Sequence, residues 1–304
     1  MRTQERGVAI VLAMGVVALA AVAAAAIIAS QGTWTRQAEL GADQIQAKAV
    51  LQAGADWARA VLYDDRRSSN VDHLGEPWAL RLPPMAVENG ELMGQIEDQQ
   101  GAFNLNNLVT EGKVSLGQLA KFQRLLAILG LPPELAAALA DWLDADSEPQ
   151  PRGGAEDAYY LALDIPYLAA NRPLVDVDEL ALVRGFDDTV RARLRPYVSA
   201  LPRTTTVNVN TATPEVLASI IEGLELGSAQ ALVAQRDRIY FRDAADFTSR
   251  LPRGAAAAAG DIGVSSDYFI ATLRVTIGGA QARGKALFER GGPGWPTIVW
   301  RKYL

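Results

Sequence analysis

An uncharged apolar run from Val8 to Ala29 decides what the rest of this chain can become. No charged side chain stands between Arg6 and Arg36. At ~1.5 Å rise per residue, ~22 residues make a helix of ~33 Å, about the thickness of one bilayer core. Arg2 and Arg6 precede the run, which holds the N-terminus in the cytoplasm and sends the remainder outward. A cleaved signal peptide has a shorter apolar stretch and a break behind it. Here a helix-compatible sequence continues past the run without a turn signal. The run is therefore expected to stay on the protein as a single-pass anchor.

The 304 residues allow one large domain or two modest ones with an ample core. The net charge of -6 includes the basic leader, so the part beyond the anchor is more acidic still, which speaks against a phosphate backbone as main ligand. With no cysteine, disulfides, thiol catalysis and zinc–thiolate sites are excluded. The one histidine, His73, sits in the polar stretch Asn70-Val71-Asp72-His73 and is expected at the surface. No nucleophile elbow, phosphate loop or dinucleotide fingerprint is present. Paired carboxylates could serve a glycosidase, but no sugar platform surrounds them. The chain is expected to be non-enzymatic.

Helical spacing continues to about Leu62, with small and apolar positions recurring at Trp34, Ala38, Ile45, Ala49, Gln52, Asp56 and Ala60. Asp64 to Asn70 is polar and predicts a loop. Trp78-Ala79-Leu80-Arg81-Leu82 alternates and predicts a strand ended by Pro83-Pro84. Asn89-Gly90 predicts a hairpin turn, and Glu91 to Asp98 the returning strand, with Leu92, Gly94 and Ile96 on one face. Three more strands are expected at Tyr268–Ile277, Ala280–Glu289 and Thr297–Tyr303, separated by Gly278-Gly279 and Gly291-Gly292-Pro293-Gly294. Helices are expected between, chiefly Leu116 to Leu129, Pro132-Pro133 to about Leu143, Pro214 to Glu222 and Ser228 to Arg238.

Val207-Asn208-Val209-Asn210-Thr211-Ala212 and the helices after it look like a helix-hairpin-helix element, as does Leu180 to Leu194 around Gly185-Phe186. Such elements can grip DNA through glycine-hairpin amides and lysines. Here the neighbours are Glu222, Glu225, Asp237, Asp243 and Asp246, so a structural role is the better reading. A membrane-anchored DNA receptor is the alternative.

The sharpest chemical signal is acidic: Asp141, Asp144, Asp146 and Glu148, then Glu156 and Asp157 behind Gly153-Gly154-Ala155. Asp141 and Asp144 share a helix face, and Asp144, Asp146 and Glu148 alternate along the exit from it. Carboxylates this close repel unless a cation sits among them, and hard oxygen ligands suit Ca²⁺. The run starts like an EF-hand loop, but Pro149 stands where that loop needs glycine and Ala155 where it needs its closing acid. A solvated acidic loop is the bland reading.

The join Arg6-Gly7-Val8-Ala9-Ile10 resembles the cleavage site of type IV pilins and pseudopilins, where a prepilin peptidase cuts after the glycine and methylates the new amine. Most members carry glutamate at the fifth residue after the cut, and here Leu12 stands there. That glutamate meets the amine of a neighbouring subunit, and a subunit with no neighbour above has no use for it. Together with Gly101-Ala102-Phe103-Asn104-Leu105-Asn106, the helical insertion and the DxxDxD and GAED blocks, the chain resembles the K-type minor pseudopilins of type II secretion.

The resemblance implies an α+β fold: a type IV pilin-like long N-terminal helix on an antiparallel sheet, with a large all-α insertion containing helix-hairpin-helix-like elements. The corresponding pieces are a leader at 1–7, the helix at 8–63 (transmembrane 8–29), a first pseudopilin part at 64–107, the helical insertion at 108–203, and a second pseudopilin part at 204–304. It implies a subunit of the bacterial inner membrane, with its bulk in the periplasm, that caps a short fibre and helps start its assembly. It also implies one or two calcium ions among Asp141, Asp144, Asp146, Glu148, Glu156 and Asp157. The partners would be the I- and J-type minor pseudopilins, the H-type as well, the prepilin peptidase, and further out secreted substrates or the secretin.

A side chain at Gly7 would obstruct the peptidase at the bond before Val8. Gly7→Val is therefore expected to leave an uncut precursor in the membrane. A normal N-terminus at Val8, found by mass spectrometry of that variant, would refute the cleavage assignment.

Overall fold

The computed structural model describes residues 2–81, 83–292 and 294–304, with side chains from residue 9 onward. The cleavage residues Gly7 and Val8 are described by their helical backbone alone, and Leu82 and Pro293, each part of an expected strand or turn, lie outside the described residues. The first element is α1, Arg2–Ser68, of 67 residues. Its apolar part has a mean hydropathy of 2.7 and none of it is buried by the chain, so it is long and apolar enough to cross a membrane. The helix does not stop before Asp64. It carries on to Ser68, with Arg66 and Arg67 in the last turn favouring the negative end of the helix dipole.

The face of α1 that meets the sheet is Ala47, Leu51, Ala55, Ala58 and Leu62, spaced at three and four residues. Trp34 and Ile45 point outward, each 73% exposed. The helix is alanine-rich all round, so spacing alone could not choose the packing face. Gly54 settles it locally: a Cβ there would sit 3.3–3.4 Å from Leu273 and Leu92, so the helix lies close on the sheet. Burying Leu51 and Leu62 stabilises this contact by about 1.5–3 kcal/mol apiece.

After α1 no strand forms over residues 78–81, the described part of the stretch expected to be one. Pro77–Ala79 forms a single 3₁₀ turn instead. The Pro77 ring favours a turn start. Trp78 is buried edge-on to Phe269, and its Nε1–H donates to Glu76 Oε2 at 2.8 Å. The first hairpin is β1, Met85–Val87, with β2, Gly90–Asp98. Asn89 takes the left-handed conformation at its turn (φ 59°), which asparagine tolerates.

The chain then leaves for a second lobe. In order it forms β3 (Phe103–Asn104), β4 (Val109–Thr110), β5 (Lys113–Val114), α2 (Leu116–Ile128), α3 (Leu135–Leu143) and α4 (Asp157–Tyr160). It continues through α5 (Asp188–Leu194), β6 (Val198–Ser199), β7 (Val207–Asn208), α6 (Pro214–Ile220), α7 (Leu226–Arg236), α8 (Ala244–Ser249) and β8 (Ile262–Gly263). It returns as β9 (Tyr268–Ile277), β10 (Ala280–Glu289) and β11 (Thr297–Tyr303). The main sheet has the order β1-β2-β9-β10-β11, antiparallel throughout. Leu92 and Ile96 do face α1, together with Phe269, Ala271, Leu273 and Val275.

One apolar core fills the second lobe from Phe103 to Phe247. It runs across the boundary expected at 203/204: Val207, Val216, Leu217, Ile221 and Leu232 pack with Phe122, Leu139 and Leu194. The elements from β7 to α8 thus belong with the helical lobe, not with the terminal sheet. Periodicity marks helices but does not assign them to a core. Within this lobe the buried amides of Asn104 and Asn106 staple distant loops. Asn106 Nδ2 donates to Leu174 O and Leu201 O at 2.9 Å, and Asn104 Oδ1 accepts from Leu201 N.

Candidate metal centre

The helix α3 is buried on every side. Alanines and leucines fill it, so the two acids at its end, Asp141 and Asp144, are carried inside with it (0% and 1% exposed). Asp141 is satisfied there. It accepts from Gln150 N (3.0 Å) and Ala155 N (2.7 Å), which ties the acidic loop back onto the helix. Glycine is required at 154, where a Cβ would lie 2.4 Å from Asp141 Oδ2 and from Gln150 O. Gly153 turns the chain with φ 111°. These two glycines bring Glu156 under the helix end.

Asp144, Asp146 and Glu156 converge, each offering a carboxylate oxygen within 4.8 Å of the others. Asp144 and Glu156 are buried, and none of their four side-chain oxygens has a hydrogen-bond partner among the described residues. Such a pair without a cation is costly. Burial, then the Asp146 and Asp141 charges, push Asp144 up to about 7. Burial, then Asp141 and Asp144, push Glu156 up to about 7. The donor set is all oxygen and partly open to solvent at Asp146, which fits a hard cation that keeps water ligands.

The other three sequence candidates lie differently. Glu148 is exposed, and only its backbone N–H joins in, donating to Asp146 Oδ1 at 2.8 Å. Asp157 opens α4 and accepts from Ala169 N at 2.9 Å, pinning a later loop. Asp141 shapes the loop as described. The structure thus gathers Asp144, Asp146 and Glu156, gives Asp141 and Asp157 backbone partners, and leaves the Glu148 side chain exposed.

A second acidic group, Asp65, Asp72 and Glu76, was not singled out by the sequence, because its members come from a helix end and a polar loop. It already holds its cation. Arg290, 2% exposed, donates to Asp65 Oδ2 at 2.6 Å and to Asp72 Oδ1, and lies 4.4 Å from the centre of the Phe269 ring. Asp72 also accepts from Ser266 N at 2.7 Å. Burial first, then Glu76, holds Asp65 at about 6 despite Arg290. Close by, Asp98 Oδ2 accepts from Thr211 Oγ1, Ser266 Oγ and Asn208 Nδ2. This network locks the far end of α1 and of the sheet to the helical lobe. Next to it His73 is half-buried, not free at the surface, and stacks on Tyr240 at 4.1 Å.

The glycine hairpins are built into the lobe. A Cβ on Gly185 would meet Leu135 at 2.6 Å, and one on Gly223 would meet Gly254 O at 2.4 Å. The amide of Glu222 is taken by Ala256 O. Both glycines are themselves exposed, and the acids beside them, Asp187, Glu222 and Glu225, disfavour a phosphate there.

Two stretches of the chain, residues 101–203 and 207–265, match the family described as "Type II secretion system (T2SS), protein K". The chain is 38% identical to Type II secretion system protein K of Pseudomonas aeruginosa, over 99% of this chain and 93% of the relative. It is 34% identical to the protein of that name from Klebsiella pneumoniae, over 100% of this chain and 98% of the relative. Its structure is similar to a chain in the crystal structure of the GspK-GspI-GspJ complex from enterotoxigenic Escherichia coli, with a TM-score of 0.76 and 26% identity. That match covers 85% of this chain and 96% of the other.

Proposed function

Because the chain belongs to the type II secretion system protein K family and is thereby a minor pseudopilin, we propose that it caps the tip of a short periplasmic fibre and helps to start its assembly. The observation that carries this reading is the position of the helical lobe. It is fastened at the end of α1 remote from the apolar segment, through Arg290, Asp65, Asp72 and Asn208. A subunit added above would meet this lobe instead of a free sheet end. The apolar part of α1 carries Leu12 at the fifth residue after Gly7 and no carboxylate from Ala9 to Ser30, so it offers nothing to a terminal amine from above.

The partners under this reading are the I- and J-type minor pseudopilins, by analogy with the solved relative's complex. They would lie beside and below α1, whose outward face is left uncovered at Trp34 and Ile45. The anchor would sit in the inner membrane and the two lobes in the periplasm, with no catalytic step. Calcium would be held by Asp144, Asp146 and Glu156. It would neutralise two buried carboxylates and clip the loop after α3 to the start of α4.

A capping subunit forms a complex with two or three minor partners and does not polymerise alone. Electron microscopy of the full-length protein by itself is expected to show no filaments, and long homopolymers would overturn the capping role.

A further inference from the structure

The sheet has a second face, turned away from α1, and the helical lobe covers only one end of it. There Leu287 and Trp300 pack with Leu201 and Tyr268. Beyond that end the face is open and basic. Arg274 on β9 and Arg283 on β10 stand directly opposite each other in the ladder. Both are exposed, and Lys285, half-buried, follows two residues on along the same face. Like charges directly opposed across strands are destabilising. Nothing offsets them here. Among the described residues none of the three has a carboxylate within 4.0 Å. Arg283 reaches only Gln281 Oε1, at 3.4 Å. The neighbour of Arg274 on β2 is Met93; of the acids that share the face, Glu91 stands toward the β9–β10 turn and Glu97 and Glu289 toward the lobe-covered end, where Lys285 lines a cleft with Asp176 and Asp178. In a chain of net charge -6, two directly opposed arginines with no carboxylate partner among the described residues, and a lysine beside them, are an exception that folding does not require.

We propose that this face docks an acidic, carboxylate-rich segment of a partner protein, with Arg274, Arg283 and Lys285 as the cations that hold it. Guanidinium forks match carboxylates in two-point contacts. Strands ~4.8 Å apart and same-face residues ~6.6 Å apart match alternate side chains of an extended acidic peptide. A membrane surface is the wrong partner by distance. The β9–β10 turn meets α1 at Asp43, where Gly279 N donates to Asp43 Oδ2 at 3.1 Å. Asp43 lies ~21 Å along the helix from Ala29, at ~1.5 Å per residue, and the arginines lie several residues farther from the membrane. That exceeds the ~8 Å over which lipid charge acts at physiological salt.

The test uses the full-length protein in detergent and a fluorescein-labelled twelve-residue peptide of alternating Glu and Ser, followed by anisotropy at low salt. Wild type is expected to bind. Arg274→Ser with Arg283→Ser should weaken binding at least tenfold, while Arg238→Ser with Arg253→Ser leaves it unchanged. Arg283→Ser alone should keep or raise the melting temperature, because it relieves a repulsion. Equal binding by the two double variants, or no binding by wild type, would overturn the proposal. So would a fall of several degrees in Arg283→Ser, which would make the pair structural. A wild-type dimer that the same double substitution dissociates would assign the face to a second copy of this chain instead.

Discussion

Asp144→Ala is expected to abolish most of the rise in melting temperature that calcium gives the wild-type protein. Four buried carboxylate oxygens, on Asp144 and Glu156, have no hydrogen-bond partner among the described residues. A ligand that binds only the native state stabilises it by RT ln(1 + [L]/Kd), ~2.7 kcal/mol at a hundredfold excess over Kd. For a protein of this size that is a rise of ~5–10 °C. Without calcium the sign of the pH effect follows from the raised carboxyls. The folded protein holds protons on Asp144 and Glu156 up to about 7, whereas unfolded carboxyls release theirs near 4. Metal-free stability should therefore fall as pH rises from ~4 toward 7, while calcium binding strengthens over the same range and expels protons. Thermal scans in calcium and in EGTA at pH 5.5 and 8 read both effects. Identical midpoints in calcium and EGTA at pH 8, with no metal in the purified protein, would leave a solvated acidic loop. Asp157→Ala separates the roles: it should cost stability through the freed Ala169 N–H yet keep the calcium response.

Arg290→Met should be the most damaging single substitution away from that site. It removes the cation seated on Asp65 and Asp72 and leaves three buried acids within reach of each other. Breaking a buried pair from one side costs about 3–5 kcal/mol, here a fall of ~6–20 °C in melting temperature. Adding Asp65→Asn and Asp72→Asn to that variant should recover a large part of the loss, because neutral amides need no cation. No recovery, or a melting temperature unchanged by Arg290→Met, would show that the network does not fasten the lobes.

The long apolar helix, the main helices after it and the terminal strands could be read directly from the chain, whereas the strand expected at Trp78 was not one. Each rests on a local period: an uncharged run for the apolar part of α1, alternation for β9, β10 and β11, and three-to-four spacing for α2 and α3. The acids of the cluster were equally visible, because charge repulsion along a short stretch is a local property. Which of them converge was not. Asp141 and Asp144 sit three residues apart on one helix, yet two backbone amides from a loop nine and fourteen residues later satisfy the first and leave the second bare.

Composition and spacing by themselves therefore determined an acidic, cysteine-free chain of helices and antiparallel strands behind one helix long and apolar enough to cross a membrane, with a cluster of carboxylates in its middle. The tertiary structure alone decided three things. It selected the face of an alanine-rich α1 that packs, since alanine looks the same on both sides. It placed β7 to α8 in the helical core across residue 203, since a helix period does not say whose core it fills. It brought Arg290 to Asp65 and Asp72, over 200 residues earlier in the chain. Such pairings are set by the closing of the whole sheet, a long-range event that no window of the sequence contains.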